Sequence, residues 1–286
     1  RLAKRNGLKL LALGQAMGSN NRVPDWLTSI LLGIIEGITE FLPISSTGHL
    51  LLPQQLGWLE KQSDVFNIAI QSGAVIAVLF NFTDRVKQLT FRWREPEARD
   101  YLAKLFVAFV ITGVGGLVID QLGFELPKTV LPVAVAVLVG GVLFVVVEKK
   151  IGNRVKLAEV TWAIAIAIGF GQLLAAVFPG TSRSGATILI ALLMGLRRLP
   201  AIEFTFLLGV PTLLAAGAYK VFKALRAESV SEDWGQLALA TGVSAVTAFV
   251  SVRWLLRYIE THTFVVFGWY RIALGMVLLI YLITFE

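Results

Sequence analysis

Apolar residues run in long blocks along this chain, at roughly 27–44, 46–57, 66–83, 103–119, 130–147, 160–178, 185–196, 204–222, 235–255 and 264–284. Six of these (66–83, 103–119, 130–147, 204–222, 235–255 and 264–284) are long enough for a helix to cross a hydrocarbon core about 30 Å thick, and they predict six transmembrane helices. The runs at 27–44 and 160–178 are near spanning length. Each meets a proline and then a polar cluster, PISSTGH at 43–49 and PGTSRSG at 179–185, before a short second apolar piece. Backbone broken by Pro and Gly at membrane depth is tolerated only when buried in protein or lining a wet cavity. Each run is therefore read as a re-entrant helix–loop–helix hairpin. The second helix of the later hairpin is expected from about Ala186.

An internal repeat supports the pairing of the two hairpins. GIIEGITEFLP (33–43) aligns without gaps on GFGQLLAAVFP (169–179), placing Gly33 on Gly169, Glu36 on Gln172 and Pro43 on Pro179. Phe66 and Phe204 then open the next spans at nearly the same offset. Each half holds one hairpin and three spans; three is odd, so the second half is inverted relative to the first. The prediction is an all-α polytopic membrane protein, with one membrane domain over 25–286 built from repeats at about 25–150 and 160–286. The stretch 1–24 surrounds LKLLALGQAMG with Arg1, Lys4, Arg5, Lys9 and Arg22. It is too short to span and lacks a cleavage signal, so it is read as an interfacial helix or a disordered leader.

Composition agrees. Of 286 residues 56% are hydrophobic and 16% charged, against about 25% charged in a soluble domain. The formal charge of +7 does not point to nucleic acid, because the basic residues sit in short loops between apolar runs. With no cysteine, disulfides and thiolate chemistry are excluded. The loops 84–104, 148–159, 197–203 and 253–263 hold fourteen Lys and Arg, whereas the opposite loops hold five (Lys61, Lys128, Lys220, Lys223 and Arg226). The richer set belongs in the cytoplasm, although the basic leader narrows the margin.

The polar clusters carry the candidate chemistry. Glu36 and Glu40 are spaced i, i+4 and share a helix face, where two carboxylates can hold a divalent cation or split into an acid and a base. Ser45, Ser46, Thr47 and His49 follow Pro43; one of Ser45 or Thr47 can serve only as a helix cap, while Ser46 and His49 offer a nucleophile and a proton carrier. In the second loop, Ser182, Arg183 and Ser184 before a helix N-terminus make an anion cradle, with the Arg183 fork suited to phosphate oxygens. Arg183 can equally pair with Glu36 or Glu40. Gln172 and Ala176 stand where the first half has Glu36 and Glu40, so a site between the halves is chemically asymmetric. Gln71 lines the cavity or a helix contact, Glu203 caps or pairs a loop, and His262 is a surface residue beside Glu260.

EGITEFLPISSTGHL (36–50) and PGTSRSGATI (179–188), flanked by FNIAIQSG and EFTFLLGVP, resemble the signature segments of the bacterial undecaprenyl pyrophosphate phosphatase family, also called the bacitracin-resistance protein family. The likeness covers about 25–286. It implies hydrolysis of undecaprenyl diphosphate to undecaprenyl phosphate and inorganic phosphate, with a divalent cation (Mg2+ or Ca2+) held by Glu36 and Glu40. It implicates Glu36, Glu40, Ser46, His49 and Arg183 in catalysis, with Ser45, Thr47, Thr181, Ser182, Ser184 and Gln71 around the substrate. It places the protein in the bacterial inner membrane with its site open to the periplasmic face, among membrane lipids and without nucleic acid; a homodimer stays open. Asn67 stands where the family usually has an acid after Phe66. The nucleophile stays open among Ser46, His49 and water, with Ser46 and a His49 proton relay preferred. The rival reading is a transporter or polyprenyl-phosphate flippase, whose usual architecture is the same inverted repeat. A histidine-nucleophile phosphatase is set aside, since His262 lies too far along and on the wrong side.

Overall fold

The computed structural model describes residues 23–60, 62–123, 129–151, 157–226 and 233–285. Of the leader reading at 1–24, residues 1–22 lie outside the described residues, as do 152–156 within the basic loop at 148–159 and the Lys61 and Lys128 of the opposite loops. Eleven helices form among the described residues: α1 Asp25–Thr39, α2 Ser46–Gln55, α3 Asp64–Asn81, α4 Thr83–Phe91, α5 Pro96–Gln121, α6 Val130–Ile151, α7 Trp162–Val177, α8 Arg183–Leu193, α9 Arg198–Arg226, α10 Trp234–Thr261 and α11 Val265–Phe285. Five of them (α5, α6, α9, α10 and α11) are long and apolar enough to cross a membrane. The pair α3 and α4, bent by 83° at its break, is long and apolar enough together to count as a sixth if it is one span. The chain is an all-α polytopic membrane protein.

The two broken segments form as helix pairs, α1 with α2 and α7 with α8. Their breaks are alike in detail. Ser45 (φ +74°) and Ser182 (φ +66°) are the non-glycine residues in the left-handed region among those described. Each then caps the helix that follows. The Ser45 hydroxyl accepts from the Gly48 N–H at 3.3 Å, and the Ser182 hydroxyl from the Gly185 N–H at 3.2 Å. A side chain at positive φ is strained by about 1–2 kcal/mol, and a serine cap offsets a comparable amount. The reversal at Ser182 lets the helix begin at once, so Arg183 is its first residue. The sequence pattern had placed that start near Ala186.

Matching glycines seat the two entering helices. A Cβ on Gly33 would lie 2.6 Å from the Ala240 carbonyl of α10, and one on Gly169 would lie 3.0 Å from the Ala108 carbonyl of α5. Hence α1 packs on α10 and α7 packs on α5, backbone against backbone, while α6 and α11 pair with each other. The first loop is itself part of the core. Phe41, Leu42 and Ile44 are buried among residues of α3, α8, α9 and α10, and the Phe41 ring centroid sits 4.9 Å from that of Phe206. Glu40, just before Phe41, reaches Arg183 of the second hairpin.

Candidate active site

The two loops meet. Arg183 of α8 extends toward the end of α1, where its Nη2 donates to Glu40 Oε1 at 3.4 Å. Ser184 Oγ donates to the Leu42 carbonyl at 3.3 Å. The ion pair foreseen as one reading of Arg183 is therefore present. It leaves most of the guanidinium unused: Nε and Nη1 are buried and have no hydrogen-bond partner. The guanidinium lies over the Phe41 ring, 5.7 Å from its centroid, and two buried charged donors without an acceptor suit an anion, since leaving them unmet costs several kcal/mol. The first amides of α2 and α8, having no intrahelical acceptor, bring two positive helix ends to the same loops.

The acids lie opposite. Both carboxylate oxygens of Glu36 are buried without a partner. The side chains acting on it are Glu40 and, from α3 across the contact with α1, Gln71. Glu40 shares its two oxygens between the halves: Oε1 takes Arg183, and Oε2 accepts the Ser46 hydroxyl at 3.0 Å. Ser46 thus has a carboxylate beside it. His49 is held elsewhere. Its Nδ1 lies 2.7 Å from the Ser45 carbonyl and its Nε2 lies 2.7 Å from the Tyr270 hydroxyl.

Of the remaining expected residues, Ser45 and Ser182 are caps, and Ser182 and Ser184 share a hydroxyl contact at 3.2 Å. Thr47 is exposed, and Thr181 contributes its carbonyl rather than its hydroxyl. Glu203 pairs with Arg85 at 2.8 Å and accepts from Tyr101, the loop-pairing role, and His262 is exposed.

Two carboxylates, one with unpartnered buried oxygens, suit a hard divalent cation. Among the described residues no group of three or more His or acidic side chains stands as a complete cage. Magnesium needs no such cage, because it is held by one or two carboxylates together with substrate oxygens and water. Glu36 and Glu40 fit that donor set.

Arg271 was not singled out from the sequence. It is fully buried in α11 and forms no ion pair among the described residues. Its Nη1 donates to the Pro43 carbonyl at 3.3 Å, and its Nη2 to the carbonyls of Gly180 at 3.2 Å and Thr181 at 3.1 Å. Further bonds reach Val137 and Ala136 of α6. One side chain ties both loops to the helix behind them. Its signal in the sequence is an arginine six residues inside the last apolar helix, where charge is costly.

Residues 29–277 match the family described as Bacitracin resistance protein BacA. A relative from Rhizobium etli (strain CIAT 652), named Undecaprenyl-diphosphatase, is 50% identical over 257 residues, covering 89% of this chain and 96% of its own. Relatives of the same name are 47% identical in Xanthomonas oryzae pv. oryzae (strain PXO99A), covering 90% and 97%, and 46% identical in Xylella fastidiosa (strain 9a5c), covering 89% and 98%.

Gly209 gives the site a direct test. A Cβ there would fall 2.4 Å from Arg183 Nη1. The side chain can swing away, so Gly209→Ala should leave the thermal midpoint near wild type, alanine being the better helix former. It should weaken binding of inorganic pyrophosphate about tenfold or more, the worth of a charge-assisted hydrogen bond or two. Calorimetric titration checks this; unchanged affinity would remove Arg183 from the anion cradle.

Proposed function

The chain belongs to the bacitracin resistance protein family, and we propose that it hydrolyses undecaprenyl diphosphate to undecaprenyl phosphate and inorganic phosphate. The observation that carries this reading is the meeting of unpartnered Arg183 N–H groups and two helix N-termini with a serine hydroxyl bonded to a carboxylate. That is an oxyanion-binding pocket with a nucleophile beside a proton acceptor. The names of the relatives fit the same chemistry.

In the proposed reaction, Arg183 and the first amides of α2 and α8 bind the diphosphate oxygens. Ser46 Oγ attacks the terminal phosphorus in line and loses its proton to Glu40 Oε2. The bridging P–O bond breaks, and its electron pair leaves on undecaprenyl phosphate. Water then attacks the phosphoserine, giving a proton to His49; the Oγ–P bond breaks, Glu40 returns its proton to Ser46 Oγ, and inorganic phosphate departs. Glu36 and Glu40 would hold a divalent cation, which supplies charge neutralisation at the phosphoryl oxygens. The proton preference thereby moves from His49 to Glu40, because Ser46 is hydrogen-bonded to Glu40.

Purified protein should release phosphate from the C55 diphosphate and lose that activity with a chelator. Ser46→Ala should remove nearly all turnover, by roughly a factor of a thousand or more. Glu36→Gln should raise the cation concentration needed for half-maximal rate. Phosphate release unchanged by Ser46→Ala would eliminate the serine step, and unchanged cation dependence would leave Glu36 outside the metal site.

For orientation, the fourteen-to-five bias of basic loop residues supports a cytoplasmic face at the 84–104 loop. The two hairpins then enter from opposite faces, the pocket opens to the periplasm of the inner membrane, and released carrier lipid re-enters cell-wall synthesis, the activity behind bacitracin resistance. In cells expressing single-cysteine variants, Gln62→Cys should react with an impermeant thiol reagent from outside, and Glu97→Cys only after the membrane is opened. Labelling of position 97 in intact cells would invert the topology.

A further inference from the structure

Tyr270 has no part in the reaction as argued so far, yet its hydroxyl is 2.7 Å from His49 Nε2. The two rings are nearly parallel, 4° apart and stacked with centroids at 5.5 Å. The other ring nitrogen, Nδ1, lies 2.7 Å from the Ser45 carbonyl. A carbonyl oxygen can only accept, so Nδ1 carries the proton, and in the neutral ring Nε2 must accept from the Tyr270 O–H. Both nitrogens are therefore assigned by their partners. One partner comes from the backbone of the first loop. The other comes from the residue next to Arg271, whose guanidinium fixes that loop at the Pro43 carbonyl.

We propose that Tyr270 relays the proton of the attacking water to His49: its O–H fills the Nε2 lone pair of the Nδ1–H tautomer, so it passes its own proton to Nε2 as its oxygen takes one from the water. This rests on the phosphatase reading above, in which His49 serves as base. A histidine on a short helix at a loop rotates about two side-chain bonds, and one backbone acceptor fixes only one edge of the ring. Tyr270 fixes the opposite edge. The adjoining residues Tyr270 and Arg271 thus align the base and the loop from one turn of α11.

The chain has two histidines, His49 and His262, which makes the ring directly observable. In a His262→Gln background with 15N-labelled histidine, nitrogen NMR should report a neutral Nδ1–H imidazole whose Nε2 signal is displaced by an accepted hydrogen bond. Tyr270 is 47% exposed, so Tyr270→Phe opens no cavity and keeps the ring. In that variant the Nε2 signal should move toward that of an unbonded imidazole nitrogen. kcat should fall about tenfold, with KM held within about twofold. An unmoved Nε2 signal, or a wild-type kcat, overturns the assignment. If the unsubstituted protein releases no phosphate, the phosphatase reading fails, while the NMR comparison still decides whether Tyr270 holds His49.

Discussion

A guanidinium buried without a carboxylate holds this protein's two broken segments together. Arg271 donates to five carbonyls: Pro43 in the first loop, Gly180 and Thr181 in the second, and Ala136 and Val137 in α6. Burying such a charge is among the most costly acts in folding, and it is tolerated only where every donor is met. Three of the five carbonyls, those of Pro43, Gly180 and Thr181, are open to it because the loops leave helical bonding beside Pro43 and Pro179. The interruption of the two helices and the burial of Arg271 therefore depend on each other. Without the loops the guanidinium loses three of its five acceptors, and without the charge the loop carbonyls lose that donor.

The second buried guanidinium works the other way. Arg183 has one bond, to Glu40, and keeps Nε and Nη1 free. Arg271 is satisfied and structural, whereas Arg183 is unsatisfied and poised for an anion. Both lie against a glycine: a Cβ on Gly140 would fall 2.1 Å from Arg271 Nη2, and one on Gly209 2.4 Å from Arg183 Nη1. Helices approach closely enough to bury planar forks only where side chains are absent. The serine caps at positive φ complete the arrangement, since each turns the chain so that a helix N-terminus starts at the meeting point.

Much of this was legible in the sequence because polar groups at membrane depth are so conspicuous. Glu36, Glu40, Ser46 and Arg183 stand out against apolar neighbours, and the alignment of Gly33 on Gly169 anticipates two equivalent helix seats. The contacts were not legible. Nothing in the spacing of Ser46 and His49 reveals that the hydroxyl turns to Glu40, because that depends on how the chain turns between Glu40 and Ser46. The helix start at Arg183 was hidden because PGTSRSG reads as an extended loop until Ser182 reverses it. Arg271 and Tyr270 went unnoticed for a related reason. An arginine beside aromatic residues near the start of a span looks like an interfacial anchor, and only the packing of α11 on α6 shows it turned inward.

The central claim is that one buried fork assembles the site from its two halves. Arg271→Lys keeps the charge but replaces five directed N–H groups with a compact ammonium that has three. The decisive measurement is phosphate release from the C55 diphosphate together with the thermal midpoint of the purified variant. The account predicts that both fall, because loops that lose their shared donor neither pack nor meet. A lysine variant with wild-type turnover and an unchanged midpoint would contradict it.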